Sequence, residues 1–374
     1  MRIHPDKRPQ ARVSAARAAL LIAGGLGAAG CPNRAALPAC PTAHLLVSVA
    51  ADANPGGPIY LADDFAGATG YPYAIERADT LDAVLRSTDD GTALALLAPA
   101  AGGLVVVNGG AAARRFDGAG TLLWTAGYGA FLGVRAGLGA GDRLLVADAG
   151  SLWLLAPDGT VAWKRPLPDT VDEVVQVLGD GDSGYWVVGQ FQQNVAPWIA
   201  SGPDGDRGGL FVLHVDQSGS VIGAGASGYS NNDLSRPAVA SQDAAGAPML
   251  VVRYQPNGSF PTAEAFDGAG QLLWSRPSTD RLETDGAGNL VGLSISGPTL
   301  VIKRLDASGS EVATTTHDLF ASRPSSVQMA TAPVSGGVLV AGASFDAASC
   351  PSAHFLLRVG TPSLAVTDLP LGLR

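Results

Sequence analysis

Lysine is almost missing from this chain, occurring only at Lys7, Lys164 and Lys303 in 374 residues, and charged side chains of every kind make up just 15%. With a formal net charge of −9, the sequence lacks the clustered basic surface that neutralises a phosphate backbone, so nucleic acid is excluded as an expected partner. Histidine is confined to positions 4, 44, 214, 317 and 354, and there is no Gly-x-Ser-x-Gly elbow, Ser-x-x-Lys pair or His-Glu-x-x-His helix to carry hydrolytic or zinc chemistry. No apolar run approaches the roughly 20 residues that cross a bilayer as a helix. Helical patterning is nearly absent too: only "YAIERADTLDAVLRS", Tyr73 to Ser87, predicts a turn or two of helix. What is plentiful is glycine (49), proline (25) and hydrophobic side chains (47%), enough for a large core interrupted by many turns.

The first thirty residues follow different rules. Arg2, Lys7, Arg8, Arg12 and Arg17 precede "AALLIAGGLGAAGC", a short apolar stretch ending in small residues, which predicts an export signal over 1–30. Its close, Ala28-Ala29-Gly30-Cys31, resembles the lipobox of bacterial lipoproteins, with Ala28 where that family prefers Leu. The resemblance implies acylation of Cys31, a Pro-rich and Ala-rich tether over 31–39, and, with Pro32 following the cysteine, the outer membrane, facing the periplasm or the cell surface. Membrane contact would then come through the acyl anchor alone, and the processed chain would carry a net charge near −13.

From residue 40 onward the chain repeats itself. "RRFDGAGTLLW" closes at Trp124, "LLAPDGTVAW" at Trp163 and "EAFDGAGQLLW" at Trp274, while Asp216 and Asp306 keep the turn without the tryptophan. Aspartate opening such a turn accepts from backbone N–H groups ahead of it, and glycine takes the positive φ that closes a hairpin. A second Gly-punctuated β pair precedes most of these hairpins, so each unit reads as a four-stranded antiparallel meander. Taking residues 50, 117, 158, 216, 267, 306 and 360 as equivalent turn positions gives spacings of 39 to 67, as expected for propeller blades. Complete meanders begin near residues 92, 136, 174, 238, 288 and 327; a hairpin over 44–61 begins a seventh and lacks its preceding pair. The Asp-x-x-Gly-x-x-x-Trp phrase resembles the blade motif of quinoprotein-like, PQQ-repeat β-propellers. The expectation is therefore all-β: one propeller over 40–370 with seven blades, or six.

Two phrases frame the propeller: "CPTAHLLVSV" from Cys40 and "CPSAHFLLRV" from Cys350. They occupy matching places at opposite ends, where the ring must close. One reading is a Cys40–Cys350 disulfide, worth on the order of 5 kcal/mol by loop entropy. Another is shared blade ancestry with free thiols. A third is zinc held with His44 and His354, although Cys and His four residues apart on a strand lie roughly 13 Å from each other.

Chemistry-like motifs are weak. "GLGAAG" lies in the leader and "GDGDSG" (Gly179–Gly184) in a hairpin turn, so neither is in a dinucleotide-binding context. Asp180 with Asp182, and Asp204 with Asp206, lack a full calcium loop and read as solvated turns; His214, inside "FVLHVD", reads as a strand-packing residue. The quinoprotein likeness suggests PQQ, but the adjacent cysteine pair and calcium cage that hold it are missing, so no cofactor and no metal are expected; the three motif tryptophans read as packing between blades. The longest connections, Gln193–Gly209 and Gly225–Pro237, fall on one face and nominate Trp198, Asp204, Asp206, Tyr229, Asn231 and Asn232 as binding-loop contacts. The leading expectation is a non-enzymatic binding or scaffold protein of the envelope, recruiting a protein or glycan. The alternative is a propeller enzyme, either a quinoprotein-type oxidoreductase or a hydrolase or lyase acting on saccharides or peptides.

Overall fold

A run such as "YWVVG" at Tyr185–Gly189 has no polar side, and "LVVV" at Leu104–Val107 is the same. Strands of this kind must be covered on both faces, which a stack of sheets provides. The computed structural model describes residues 44–51, 59–65, 73–77, 83–87, 93–108, 112–127, 134–148, 150–168, 171–181, 184–191, 209–227, 238–254, 261–278, 280–285, 288–345 and 351–369. They form 28 strands in seven four-stranded sheets, each an antiparallel meander of consecutive strands.

Blade 1 contains β1 (His44–Ala51), β2 (Ile59–Phe65), β3 (Tyr73–Arg77) and β4 (Ala83–Ser87). Blade 2 has β5 (Ala93–Leu97), β6 (Leu104–Asn108), β7 (Ala112–Phe116) and β8 (Leu122–Gly127). Blade 3 has β9 (Arg135–Leu138), β10 (Leu144–Ala147), β11 (Ser151–Leu155) and β12 (Val161–Pro166). Blade 4 has β13 (Val171–Gly179), β14 (Gly184–Phe191), β15 (Gly209–Asp216) and β16 (Val221–Ser227). Blade 5 has β17 (Val239–Gln242), β18 (Pro248–Tyr254), β19 (Thr262–Asp267) and β20 (Leu272–Pro277). Blade 6 has β21 (Arg281–Thr284), β22 (Leu290–Ser296), β23 (Thr299–Leu305) and β24 (Glu311–Asp318). Blade 7 has β25 (Ser326–Val334), β26 (Gly337–Phe345), β27 (Pro351–Gly360) and β28 (Ala365–Asp368).

The first strand of each blade packs against the first strand of the next: β1 on β5, then β9, β13, β17, β21 and β25, and β25 returns to β1. The described residues therefore form a closed seven-bladed propeller. Its core lies between the blades. On β14, Tyr185 and Val187 join Leu145, Leu152 and Leu154 of blade 3, while Trp186 and Val188 turn the other way onto Leu250, Val252 and Phe266 of blade 5. The strict period of two thus splits one apolar strand between two interfaces, and each fully buried Leu or Val contributes about 1.5–3 kcal/mol. At the seam, Ala330, Leu339, Ala341 and Leu356 of blade 7 receive Ile59 of blade 1.

Three expectations need correction. Where helix was expected, residues 73–77 and 83–87 are strands: β3 pairs with β2 (Tyr60 with Arg77, Ala62 with Ile75) and β4 pairs with β3, so partner strands outweigh a weak local helical pattern. The hairpin after His44 is the first half of its blade, with the missing pair following it. Cys40 therefore precedes a first strand and Cys350 a third, and the two phrases are not equivalent positions. Finally, blade 6 begins at Arg281, because "RLET" supplies a short first strand before residue 288.

Candidate functional site

Up-and-down connectivity sends the links between first and second strands, and between third and fourth, to one face of the ring. All are short there. In the third-to-fourth turns of blades 2, 4, 5 and 6, the N–H of Asp117, Asp216, Asp267 or Asp306 donates to the carbonyl four residues on, and the carboxylate accepts N–H groups two and four residues ahead at 2.8–2.9 Å. In blade 3 the first turn position is Ala156, and Asp158 sits two residues later, bonded to Thr160. Hydrogen bonds from Ser218 and Ser308, aided by backbone N–H groups, hold the Asp216 and Asp306 carboxyls below the ordinary carboxylate range. Asp243 builds the same turn between the first two strands of blade 5, a use the sequence reading missed.

The motif tryptophans connect each blade to the next turn. Trp124, Trp163 and Trp274 donate Nε1–H to the carbonyls of Pro157, Gln217 and Ala307, at 2.8, 2.9 and 2.8 Å. Each acceptor directly follows the first residue of the neighbouring turn. The turn glycine is required twice over: Gly159 and Gly309 have φ of +84° and +75°, and a Cβ there would lie 2.8 Å from the covering Trp124 or Trp274 ring. The tryptophans are inter-blade packing groups, as read from sequence.

Blades 4 and 6 put Gly223 and Ala313 at the tryptophan position, and in both the residue directly across the strand pair takes over. Those residues are His214 and Arg304. His214 lies 2.8 Å through Nδ1 from the carbonyl of Gly268, again the second residue of the next turn, and Arg304 donates to Pro362 O at 3.3 Å. Gly223 lets the chains close further, with Ala224 N donating to Ala269 O at 3.1 Å. His214 is only 2% exposed, stacks on Trp186 (centroids 4.2 Å apart, 12° between planes) and pairs through Nε2 with Asp180. Both ring nitrogens thus face acceptors, which the imidazolium alone satisfies. Burial pushes its pKa down, but Asp180, the Gly268 carbonyl and Asp216 outweigh that and leave it raised. The strand-packing expectation for His214 holds, and Asp180 serves this pair and Gly184 N rather than standing as a solvated turn. The unusual signal in the sequence was a histidine in register with a missing tryptophan.

Around the axis, first strands bridge to their neighbours with side chains. Arg135 donates to Val175 O at 2.8 Å and pairs with Glu173 at 3.3 Å. Arg281 donates to Met329 O at 2.7 Å and to Thr331 Oγ1, which in turn donates to Glu283 at 2.9 Å. Desolvation raises the Glu283 pKa against the opposing hydrogen bonds from Thr284 and Thr331 and the charge of Arg281. These groups hold the ring together; among the described residues, no three His, Cys, Asp or Glu side chains assemble into a metal-binding group.

The other face receives the second-to-third and fourth-to-first connections. Residues 192–208 run from β14 to β15 and residues 228–238 from β16 to β17, so both longest links belong to blade 4. Trp198, Asp204, Asp206, Tyr229, Asn231 and Asn232 lie outside the described residues, as do Cys31, Cys40 and Cys350. The structure brings the strand ends that carry these links to one face and gives no geometry for the nominated side chains.

No protein-family model and no curated protein matches the chain. Solved structures match its fold. It is similar to the WD40 domain of Neurospora crassa Pan2 at 10% identity and TM-score 0.53, covering 85% of this chain and 90% of that one. It is similar also to the C-terminal WD40 domain of Sif2 (10%, TM-score 0.52, covering 88% and 87%) and to the BBS1 N-terminal domain solved in complex with ARL6 (10%, TM-score 0.51, covering 84% and 93%). At such identity the likeness concerns the propeller fold alone.

Proposed function

We propose that this chain is a non-enzymatic binding scaffold of the bacterial envelope, held by an acyl group on Cys31 at the outer membrane and presenting the blade-4 connections to an envelope protein or glycan. The observation that carries the reading is the division of labour between the faces. On the turn face the tryptophans, and near the axis the arginines, tie blade to blade, whereas the two longest links leave one blade together on the opposite face. Binding residues concentrate on long loops set on a rigid frame, and the WD40-like fold is compatible with that role. A Cys40–Cys350 bridge fits the order of strands: both cysteines precede strands that start on the loop face, in blades that adjoin at the seam.

Photo-crosslinking in intact cells tests the reading. A crosslinking residue in place of Trp198 or Tyr229 should yield a discrete adduct, and the same residue in place of the exposed Asp158 on the turn face should yield none. Equal labelling from both faces, or none from either, would contradict it.

A further inference from the structure

An outer strand closes each of the seven sheets and, among the described residues, keeps one backbone edge without a neighbour in its sheet. Such edges are templates for further pairing, and soluble proteins blunt them with charge, proline, glycine or short length. Six of the seven follow that rule. β12 and β20 finish in Lys164-Arg165-Pro166 and Arg276-Pro277. β16 is interrupted by Gly223 and Gly225 and turns Ala224 N to blade 5, while β4, β8 and β28 run for only five, six and four residues. β24 (Glu311–Asp318) has none of these devices. It is eight residues long, more than any other outer strand, holds no lysine, arginine, proline or glycine, and is β-branched at Val312, Thr314, Thr315 and Thr316.

Burial and charge along the strand define what fits it. Ala313 and His317 turn toward blade 7, the first onto the core cluster that holds Val338 and Val340, the second to 3.4 Å from Asp368. Val312, Thr314, Thr316 and Asp318 are exposed. A strand laid along β24 would therefore meet hydroxyls and one branched aliphatic group, and would bond to the outward N–H and C=O groups of alternate residues. Where β24 begins, Arg276 and Lys303 stand against Asp280, Asp306 and Glu311; where it ends, Asp318 and the 78% exposed Asp368 have only His317 beside them. Carboxylates outnumber cations at both ends, most of all at Asp318. A second copy pairing antiparallel would set Asp318 of one strand near Glu311 of the other, like charge against like. We propose that β24 takes up an extended segment of another polypeptide by strand addition, with β-branched residues along Val312–Thr316 and lysine or arginine beside Asp318 and Asp368. This surface lies on the rim of blade 6, apart from the blade-4 connections, and does not rest on them.

The test is titration of the full chain with the capped peptide Thr-Val-Thr-Val-Thr-Lys-Lys, followed by amide hydrogen exchange. It should bind saturably, with a Kd in the millimolar range or tighter, and slow exchange at alternate amides of β24 while leaving β8 and β12 unchanged. Glutamates in place of its lysines should weaken binding about tenfold, and methylation of its alternate backbone nitrogens should remove the protection. Asp318→Lys, an exposed change, should erase the preference for the lysine peptide. Thr314→Lys with Thr316→Lys, also exposed, blunts the edge as β12 and β20 are blunted and should abolish binding. No saturable binding, equal protection of the other outer strands, indifference to both variants, or protection of β24 that grows with protein concentration in the absence of peptide would overturn the proposal. Crosslinks at positions 198 and 229 are read independently of all these outcomes.

Discussion

Gly309 and Gly246 are a matched pair of turn glycines, at φ +75° and +81°. A Cβ at Gly246 meets nothing within 4 Å, whereas one at Gly309 meets the Trp274 ring at 2.8 Å. Left-handed backbone costs an L-residue about 1–2 kcal/mol, so Gly246→Ala should lose roughly that and Gly309→Ala clearly more, the excess being displaced indole. Thermal unfolding midpoints of the two variants check the order. His214 supplies a pH dependence. Its pKa is raised in the fold, so its contribution is complete below about pH 6.5, the ordinary imidazole value, and fades as pH rises through the raised value. Denaturation midpoints should therefore fall across that upper window for the native chain, and His214→Gln should flatten the decline. A profile unchanged by the substitution would show that the imidazolium is not what joins Asp180 to Gly268.

Among elements, the outer hairpin is the unit that links blades. Trp163→Phe keeps an aromatic cover on the next turn but gives up the bond to Gln217, at about 1 kcal/mol; Trp163→Ala loses the cover too, at about 3 kcal/mol. Gly223→Ala should cost more than an ordinary strand Gly→Ala exchange, because its Cβ would lie 2.3 Å from Gly268 O and force open the Ala224–Ala269 contact. Urea midpoints of the three variants would rank them. These hairpins were legible from sequence because Asp, Gly and Trp each do a local, nameable job. Blade 1 was harder to read: its outer strands exist through pairing, β3 with β2 and β4 with β3, and Tyr73–Ser87 has no Asp-x-x-Gly phrase to announce them. The 156–160 turn misled by two residues because Asp158 stands in for a carboxylate missing at Ala156.

For the whole molecule, closure is the question. Each blade is made of four consecutive strands, so no strand is exchanged across the seam, and β1 lies beside β25 and β26 without sharing a sheet with them. A ring closed in this way gains more from a covalent link than one sealed by a shared sheet, and a loop of some three hundred residues makes that gain large, on the order of 5 kcal/mol. The proposed acyl anchor and Cys40–Cys350 bridge would together distinguish an exported, membrane-tethered scaffold from a free propeller. Both are read by the intact mass of full-length protein expressed in a Gram-negative host, extracted from membranes and alkylated before and after reduction. The account predicts loss of residues 1–30, acyl mass on Cys31, and thiols at Cys40 and Cys350 that alkylate only after reduction. An unacylated chain, or two thiols that alkylate in the folded, unreduced protein, would contradict it.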